Sequence, residues 1–401
     1  MKIALFNLHY SPNLGDGLIG VCMIHGLESL APGLSVVPVD ISGRDGFGAV
    51  TVRNRALALK VLRRLPRRLR HEVVYRRLTT LLDRVEPRWR AALADADGAV
   101  IGGGQLFSDA DLNFPTKLER VGKLLAETRV PAAIHAVGVT GNWSRRGRAL
   151  FSTLCSGDLR AVGVRDEHSR LAWEGQASDG CPAPRITRDP GLLSAAAFGA
   201  VTPVNRIALG ITAPELLTYH ADSGVAGGTL DFYETLALQL ADTVGPVRLF
   251  CNGADEDADA LASLAARPAI YQAIGARKIE VAEVPATPEQ LVATVAPCRA
   301  VISHRLHANI LGYAYARPVV GLGWDRKVES FFASVGLSDA FAGAKAATPQ
   351  EVVALATRAI AKGIDPVRHA DALAETRVGL AGTLHALGID TDQGARRSVT
   401  R

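Results

Sequence analysis

The chain has 401 residues, 48% of them hydrophobic and 21% charged, an ordinary composition for a globular protein. This length predicts two domains. No apolar run reaches the ~18–20 residues of a membrane span, so the sequence predicts no transmembrane helix. The apolar stretch within Met1–Asn7 is too short for a signal-peptide core and is expected to form the first strand.

The five cysteines are scattered, without a CxxC pair or a Cys/His cluster. This spacing predicts neither a disulfide framework nor a zinc site, and it fits a reducing cytoplasm. We therefore expect a cytoplasmic protein without a bound metal.

The net charge of +5 is concentrated in one segment. From Arg53 to Arg90 there are thirteen Lys or Arg and three acidic residues. Such a block favours a local anionic partner over general nucleic-acid binding. Apolar residues at helical spacing, interrupted at Pro66, predict an amphipathic segment. It could contact the inner face of the cytoplasmic membrane peripherally, or its apolar stripe could pack on the first domain.

In the first half of the chain, apolar runs rich in β-formers alternate with helical patterns. The predicted strands are Ile3–Phe6, Ser35–Val39, Ala99–Ile101, Ala132–Val137 and Ala161–Val164. The predicted helices include Gly17–Ser29, Lys117–Glu127 and Arg146–Cys155. Strands separated by helices of this length predict βαβ units and a parallel sheet.

The alternation pauses in the stretch rich in Pro, Gly and Asp between Ser178 and Pro203, with a linker expected near Pro190–Pro203, and then restarts. The predicted strands are Arg206–Ile211, Val247–Cys251, Lys278–Val281, Ala300–Ser303 and Val319–Leu322. The predicted helices are Asp231–Ala241, Pro288–Ala296, His307–Tyr315 and Lys327–Ser334.

Two successive doubly wound units predict an α/β fold of two Rossmann-like domains facing a cleft. We expect an N-terminal domain at residues 1–195 and a C-terminal domain at 204–345. Helices at 346–390 are expected to cross back over the first domain, and residues 391–401 to form a tail. Ligands of open parallel sheets bind at the carboxyl ends of the strands, so candidate residues are sought there.

Three motifs follow predicted strands of the first domain. In Asn13-Leu14-Gly15-Asp16-Gly17, Asp16 could cap the next helix, whose N-terminus favours an anion. Gly102-Gly103-Gly104-Gln105 admits a ligand to the backbone and could form an anion nest. Arg165 could hold a carboxylate or phosphate. Each motif also has a structural alternative. The Asn13–Gly17 segment could be a plain βα turn, the three glycines could allow two loops to pack tightly, and Arg165 could pair with neighbouring acids.

The most informative motif runs from Ser303 to Lys327. Arg305, His307 and Lys327 follow two successive predicted strands, so they can converge on one point. Arg and Lys supply fixed positive charge, and His supplies a proton near neutral pH. A single histidine is more often structural, but three such groups at two neighbouring strand ends favour a functional site.

These segments resemble the polysaccharide pyruvyl transferase family. The resemblance covers most of the chain, through NLGD, GGGQLFSD, VRDEHS, DPGLL and CNGADED. It is strongest from His304 to Phe332, in the arrangement RLHA, RPVVG and WDRKV. The family has a two-Rossmann fold like that of the GT-B glycosyltransferases. It forms pyruvate ketals on bacterial and fungal glycans, with phosphoenolpyruvate as the donor.

The resemblance implies roles for particular residues. The essential histidine of the family's RLH motif falls on His307 and the motif's arginine on Arg305. The lysine after the next strand falls on Lys327, and the arginine of the RD motif on Arg165. Trp324 stands where an aromatic residue such as Tyr is common. We further expect Asn13, Asp16, Gly103, Gly104 and Gln105 to contribute to substrate binding.

The implied enzyme needs no cofactor besides phosphoenolpyruvate as donor substrate, and its acceptor is a glycan or a lipid-linked oligosaccharide. A GT-B glycosyltransferase that uses a nucleotide sugar would have the same fold and is the main alternative. A non-enzymatic assembly protein that keeps the fold is a third. The presence of Arg165, Arg305, His307 and Lys327 argues against an inactive copy.

Overall fold

The computed structural model describes residues 1–48, 66–220, 227–343 and 348–391. By their contacts the residues form two compact units. Unit 1 comprises Met1–Tyr10, Ile19–Pro190 and the chain from Glu375 onward. Unit 2 comprises Ser11–Leu18 and Gly191–Ala374. The chain therefore visits unit 2 briefly near its beginning, because the NLGD segment groups with the second unit.

Unit 1 contains a parallel sheet of six strands in the order β2-β1-β3-β4-β5-β6. The strands are β1 (Lys2–Asn7), β2 (Ser35–Asp40), β3 (Gly98–Gly102), β4 (Ala132–Val137), β5 (Leu159–Val164) and β6 (Pro184–Ile186). Its helices are α1 (Leu14–Leu30), which begins in unit 2, α2 (Arg67–Leu93), α3 (Asn113–Thr128), α4 (Arg145–Phe151) and α5 (Glu167–Glu174), with a 3₁₀ turn at Ser152–Ser156.

Unit 2 contains a second six-stranded parallel sheet, in the order β12-β11-β10-β7-β8-β9. The strands are β7 (Val204–Gly210), β8 (Val247–Phe250), β9 (Ile279–Val281), β10 (Cys298–Ser303), β11 (Val319–Leu322) and β12 (Phe341–Ala342). Its helices are α6 (Ser194–Phe198), α7 (Pro214–His220), α8 (Leu230–Thr243), α9 (Asp255–Ala265), α10 (Pro268–Gly275), α11 (Pro288–Val295), α12 (Leu306–Ala314), α13 (Arg326–Ser334) and α14 (Pro349–Lys362), with 3₁₀ turns at Pro190–Leu193 and Ser338–Ala340.

Each sheet is buried on both faces, as parallel sheets flanked by helices are. Every residue of β3 and β4 is buried, and so is every residue of β11. Unit 1 and unit 2 have separate hydrophobic clusters. The prediction of two Rossmann-like α/β units is therefore confirmed.

The last helix, α15 (Pro366–Ala386), begins in unit 2 and ends in unit 1. Within unit 1, Thr383 Oγ1 lies 2.8 Å from His135 Nδ1 in β4. Arg188 Nε donates to Glu375 at 2.7 Å. The prediction that the C-terminal helices cross back holds only for α15, which belongs to unit 1 from Glu375 onward. The preceding helix α14 stays in unit 2, where Val352 and Ala356 pack in the core.

Three local expectations are corrected. The helix α1 begins at Leu14 rather than at Gly17, so Asp16 lies in its first turn and does not cap it from outside. The stretch from Ser178 to Pro203, where the alternation was expected to pause, contains β6, which extends the sheet beside β5. Cys155 and Cys181 form a disulfide within unit 1, although no disulfide framework was expected. Sequence spacing missed this pair because folding, not spacing, brings the two residues together.

The basic segment Arg53–Arg90 is described only in part, because residues 49–65 lie outside the described residues. The described half is α2, which starts directly after Pro66. Leu82, Val85 and Trp89 belong to the core of unit 1, so this half packs its apolar face on the domain. No helix in the described part of the chain combines the length and apolarity required to cross a membrane.

Candidate active site

In unit 2, the carboxyl ends of β10 and β11 lie side by side because the two strands pair in parallel. The helix α12 starts three residues after β10, and α13 starts four residues after β11. Asp325 caps α13 by accepting the Lys327 N–H at 3.0 Å. Arg305, His307 and Lys327 are thus carried by short turns or first helical turns at one sheet edge, as the sequence predicted.

His307 packs against the backbone of Gly15, which belongs to the same unit. A Cβ atom added to Gly15 would stand 2.3 Å from Nδ1 of His307. Position 15 must therefore be glycine for the imidazole to keep its place, even though its backbone angles do not require glycine. The NLGD motif and the RLH motif lie far apart in the sequence, yet they meet in one part of the site.

The NLGD turn is attached to the end of β8. The Leu14 N–H donates to the Asn252 carbonyl at 3.0 Å. Gly253 has φ of 91°, and a Cβ there would lie 2.8 Å from the Leu14 side chain. Asn13 Nδ2 donates to the Asp16 carboxylate at 3.4 Å, so these two predicted binding residues hold each other within the turn. The turn is thereby fixed beside His307.

Arg305 is held by Asp257, a fully buried carboxylate at the start of α9. Its Nε and Nη2 donate to Asp257 Oδ2 at 2.9 and 2.6 Å, while the Ala213 N–H donates to Oδ1 at 2.9 Å. Burial raises the pKa of Asp257, and the charge of Arg305 opposes that shift. One edge of the guanidinium is thus used internally, which leaves the other edge for a ligand.

His304, just before Arg305, is completely buried. Its Nδ1 lies 2.8 Å from the Tyr233 hydroxyl, which also accepts the Thr212 N–H at 3.2 Å. The hydroxyl and the imidazole are therefore hydrogen-bonded to each other, with the donor set by the histidine tautomer. Burial raises the pKa of Tyr233, so the phenol stays protonated. His304 is therefore a structural neighbour of the motif.

In unit 1, the glycine-rich motif and Arg165 come together. Gly103 and Gly104 have φ of 75° and 77°, conformations that favour glycine. The Gly103 N–H donates to the His135 carbonyl at 3.0 Å, so this amide is not directed at a ligand. The Arg165 guanidinium donates to the Gln105 side chain. Gln105 and Arg165 thus form one polar group at the carboxyl edge of the first sheet.

All three predicted cations have a carboxylate neighbour. Arg165 lies 3.5 Å from Asp166, Arg305 lies 2.6 Å from Asp257, and Lys327 lies 2.9 Å from Asp325. The structural alternative raised for Arg165, a pair with an adjacent acid, is therefore present. These carboxylates orient the cations and offset part of their charge, so the local field is weaker than three unpaired cations would give.

Sequence reasoning missed Asp257, Tyr233 and Asn252. Asp257 stood within the CNGADED segment, but nothing local showed that it would meet Arg305. Asn252 is 1% exposed, and among the described residues its side-chain amide has no hydrogen-bond partner. A buried amide of this kind after β8 is a polar group that a folded chain rarely leaves unsatisfied.

Within the described residues, no three His, Cys, Asp or Glu side chains form a metal-binding group.

The profile of one protein family, described as polysaccharide pyruvyl transferase, matches residues 13–326. The match covers the NLGD turn, Arg165, Arg305 and His307, and it ends at the start of α13. The chain belongs to the polysaccharide pyruvyl transferase family. Membership in this family makes the chain a transferase and confirms the resemblance read from the sequence.

Solved structures of similar fold have low sequence identity to this family member. A UDP-N-acetylglucosamine 2-epimerase, described as putative, from Listeria monocytogenes is 8% identical and has a TM-score of 0.50, with 100% of this chain and 97% of that chain covered. The E. coli ADP-heptose lipopolysaccharide heptosyltransferase II is 16% identical with a TM-score of 0.43, covering 90% of this chain and 99% of that one. These likenesses concern the fold alone. No curated protein matches the chain significantly.

Proposed function

We propose that the chain transfers the enolpyruvyl unit of phosphoenolpyruvate to two hydroxyls of a sugar in a bacterial glycan, forming a pyruvate ketal. The observation that carries the proposal is the contact between His307 and Gly15, beside Arg305 and its buried partner Asp257. This contact joins the NLGD motif and the RLH motif around one titratable group. Family membership supports the class of reaction, and the chemistry of the side chains supports the donor.

The proposed reaction balances without an added oxidant or reductant. A proton is added to the methylene carbon of the donor, which gives oxocarbenium character at the central carbon. One sugar hydroxyl attacks this carbon, the bond to the phosphate oxygen breaks, and a second hydroxyl closes the ketal. Of the two hydroxyl protons, one replaces the proton added to carbon and the other leaves with inorganic phosphate.

His307 is our candidate for proton transfer in this reaction. Its imidazole can act as an acid toward the enol carbon or as a base toward a hydroxyl, and the proposal leaves both roles open. The backbone of Gly15 lies against the imidazole and limits its movement, which helps to position a proton-transfer group. Arg165, Arg305 and Lys327 are the candidates for the carboxylate and the phosphate of the donor, since both groups are anionic.

The deciding experiment is a transfer assay with phosphoenolpyruvate and a panel of glycan and lipid-linked oligosaccharide acceptors. We expect release of inorganic phosphate together with an acceptor carrying one pyruvate ketal, detected by mass spectrometry and NMR. Nucleotide sugars are tested in parallel. Sugar transfer from UDP- or GDP-sugars without ketal formation would favour the glycosyltransferase alternative, and no turnover of any donor would favour an assembly protein.

We also propose that the basic segment contacts the anionic inner leaflet, where lipid-linked acceptors reside. Several arginines of the described half form ion pairs within the chain. Arg88 lies 3.1 Å from Asp45, and Arg90 lies 2.6 Å from Glu127. Within the segment Arg53–Arg90, the residues chosen for the test are Arg63, Arg64, Arg67 and Arg68, whose side chains lie outside the described part of the structure. Each basic residue near such a surface contributes ~1 kcal/mol.

Vesicle co-sedimentation tests the membrane proposal. Changing Arg63, Arg64, Arg67 and Arg68 together to Ser should lower binding to anionic vesicles by at least ~10-fold. The matched control changes Arg88 and Arg90 to Ser and should leave binding nearly unchanged. Equal binding of the wild type to neutral and anionic vesicles would contradict the proposal.

A further inference from the structure

Trp324 occupies the turn between β11 and α13 and is 4% exposed. Its indole Nε1 donates to the His304 carbonyl at 2.7 Å. This bond ties the turn that precedes Lys327 to the residue that precedes Arg305. A tyrosine or phenylalanine ring at this position has no N–H with which to make the same bond.

Arg305 and Lys327, the two candidate donor-binding cations of unit 2, both lie over the Trp324 ring. Lys327 Nζ is 5.0 Å from the ring centroid, and Arg305 Cζ is 5.8 Å from it. A cation within about 6 Å of an aromatic face is attracted by the ring quadrupole, and indole is the most favourable ring. Each cation is also held by its own carboxylate, Asp257 for Arg305 and Asp325 for Lys327.

This arrangement matters because lysine and arginine side chains are long. Fixing such a side chain costs up to about 2 kcal/mol of conformational entropy, which a ligand must supply if the free protein has not already done so. A neutral ring attracts both cations without adding a negative charge that would repel an anionic ligand.

We propose that Trp324 is a positioning residue that holds Arg305 and Lys327 ready for a ligand with two anionic groups. The inference rests on the proposed function, in which that ligand is phosphoenolpyruvate. Trp324 acts through the two cations and through the His304 carbonyl, and it touches no reacting atom. Its substitution therefore changes donor affinity more than the chemical step.

The first test replaces Trp324 with Leu and with Phe, and measures phosphoenolpyruvate affinity by calorimetry alongside KM and kcat. Trp324→Leu should weaken donor affinity ~10-fold, since it removes the ring from two cations. Trp324→Phe keeps an aromatic face and should weaken affinity less, by ~3-fold. KM should rise more in Trp324→Leu than in Trp324→Phe, and in both variants kcat should change less than KM.

A matched control and a double-mutant cycle separate positioning from general damage. Phe332→Leu removes a buried ring from α13, the helix that carries Lys327, where it has ring contacts to Phe331 and Phe341. It should lower the melting temperature but leave donor affinity unchanged. In a Lys327→Met background, the effect of Trp324→Leu on affinity should shrink, because one of the positioned cations is gone. An equal effect in both backgrounds would overturn the inference.

A measurement without ligand keeps the inference distinct from the proposed function. With ¹³C-labelled lysine, the side-chain resonances of Lys327 should show a ring-current shift that Trp324→Leu abolishes. If the shift is present but the wild type binds no phosphoenolpyruvate, the proposed function fails while the positioning role stands. If Lys327 shows no such shift, the positioning role is wrong whatever the donor.

Discussion

At the scale of single residues, Gly15 shapes the candidate site through the absence of a side chain. Its position in the turn leaves 2.3 Å between a hypothetical Cβ and Nδ1 of His307, far less than two atoms tolerate. Gly15→Ala must therefore displace the imidazole or the turn. A shift of a catalytic group by about 1 Å can reduce turnover ~10²-fold.

We expect Gly15→Ala to reduce pyruvyl transfer by that order while the fold persists, as judged by circular dichroism and melting temperature. Gly275→Ala is the matched control in unit 2, because a Cβ there meets nothing within 4 Å. Activity of Gly15→Ala close to that of Gly275→Ala would show that the contact with His307 has no part in turnover.

His307 itself gives the sharpest residue-level prediction. His307→Ala should reduce transfer by ~10²-fold or more, because general acid–base assistance has that magnitude. Donor binding, measured by calorimetry, should change little, since the anionic groups are assigned to the cations. Transfer above about a tenth of the wild-type rate would remove His307 from the acid–base role.

At the scale of secondary-structure elements, the packing of α15 on β4 buries a histidine. His135 is completely buried, and burial lowers its pKa to about 4. Because an unfolded histidine titrates near ~6.5, the unfolded chain binds more protons than the folded one between that pH and about 4. The stabilisation that His135 contributes is therefore fully present above pH ~6.5 and is lost as the pH falls toward about 4.

We expect the free energy of unfolding to fall by ~3 kcal/mol across this window through His135 alone, since one pKa unit corresponds to ~1.4 kcal/mol. Urea denaturation at a series of pH values measures the slope, and His135→Asn should flatten it. His385→Asn removes a histidine from an exposed position of the same helix and serves as the control. An unchanged slope in His135→Asn would contradict the assignment.

At the scale of the whole molecule, the predicted donor-binding cations are divided between the units. Arg165 lies in unit 1, whereas Arg305 and Lys327 lie in unit 2. The sequence-based prediction assigns all three to one ligand. Each change to Ala should weaken phosphoenolpyruvate binding by ~1.5–3 kcal/mol if one charged hydrogen bond is lost.

Titration calorimetry of the three single variants measures these losses. Arg88→Ala, an exposed arginine paired with Asp45, is the control and should bind the donor as the wild type does. If donor affinity falls in Arg305→Ala and Lys327→Ala but not in Arg165→Ala, the donor binds to unit 2 alone. Unchanged affinity in all three variants would exclude the assignment.

The sequence by itself determined the α/β class, the two parallel sheets and most strand positions. Local patterns suffice for this, because a strand buried on both faces is a continuous apolar run between turn residues. The predicted strands Ala132–Val137 and Val319–Leu322 have the bounds seen in the structure. The cations and the histidine at strand ends were also predictable, since parallel strands place their carboxyl ends at one edge.

Only the tertiary structure decided which distant residues meet. The NLGD segment starts the first helix, which continues into unit 1, yet it belongs to unit 2, where Gly15 contacts His307 and Leu14 bonds to Asn252. The ion pair between Asp257 and Arg305 likewise joins segments that follow two different strands, β8 and β10. Such contacts leave no periodic signal in the sequence, because their energy comes from packing and charge between segments that only the folded chain brings together.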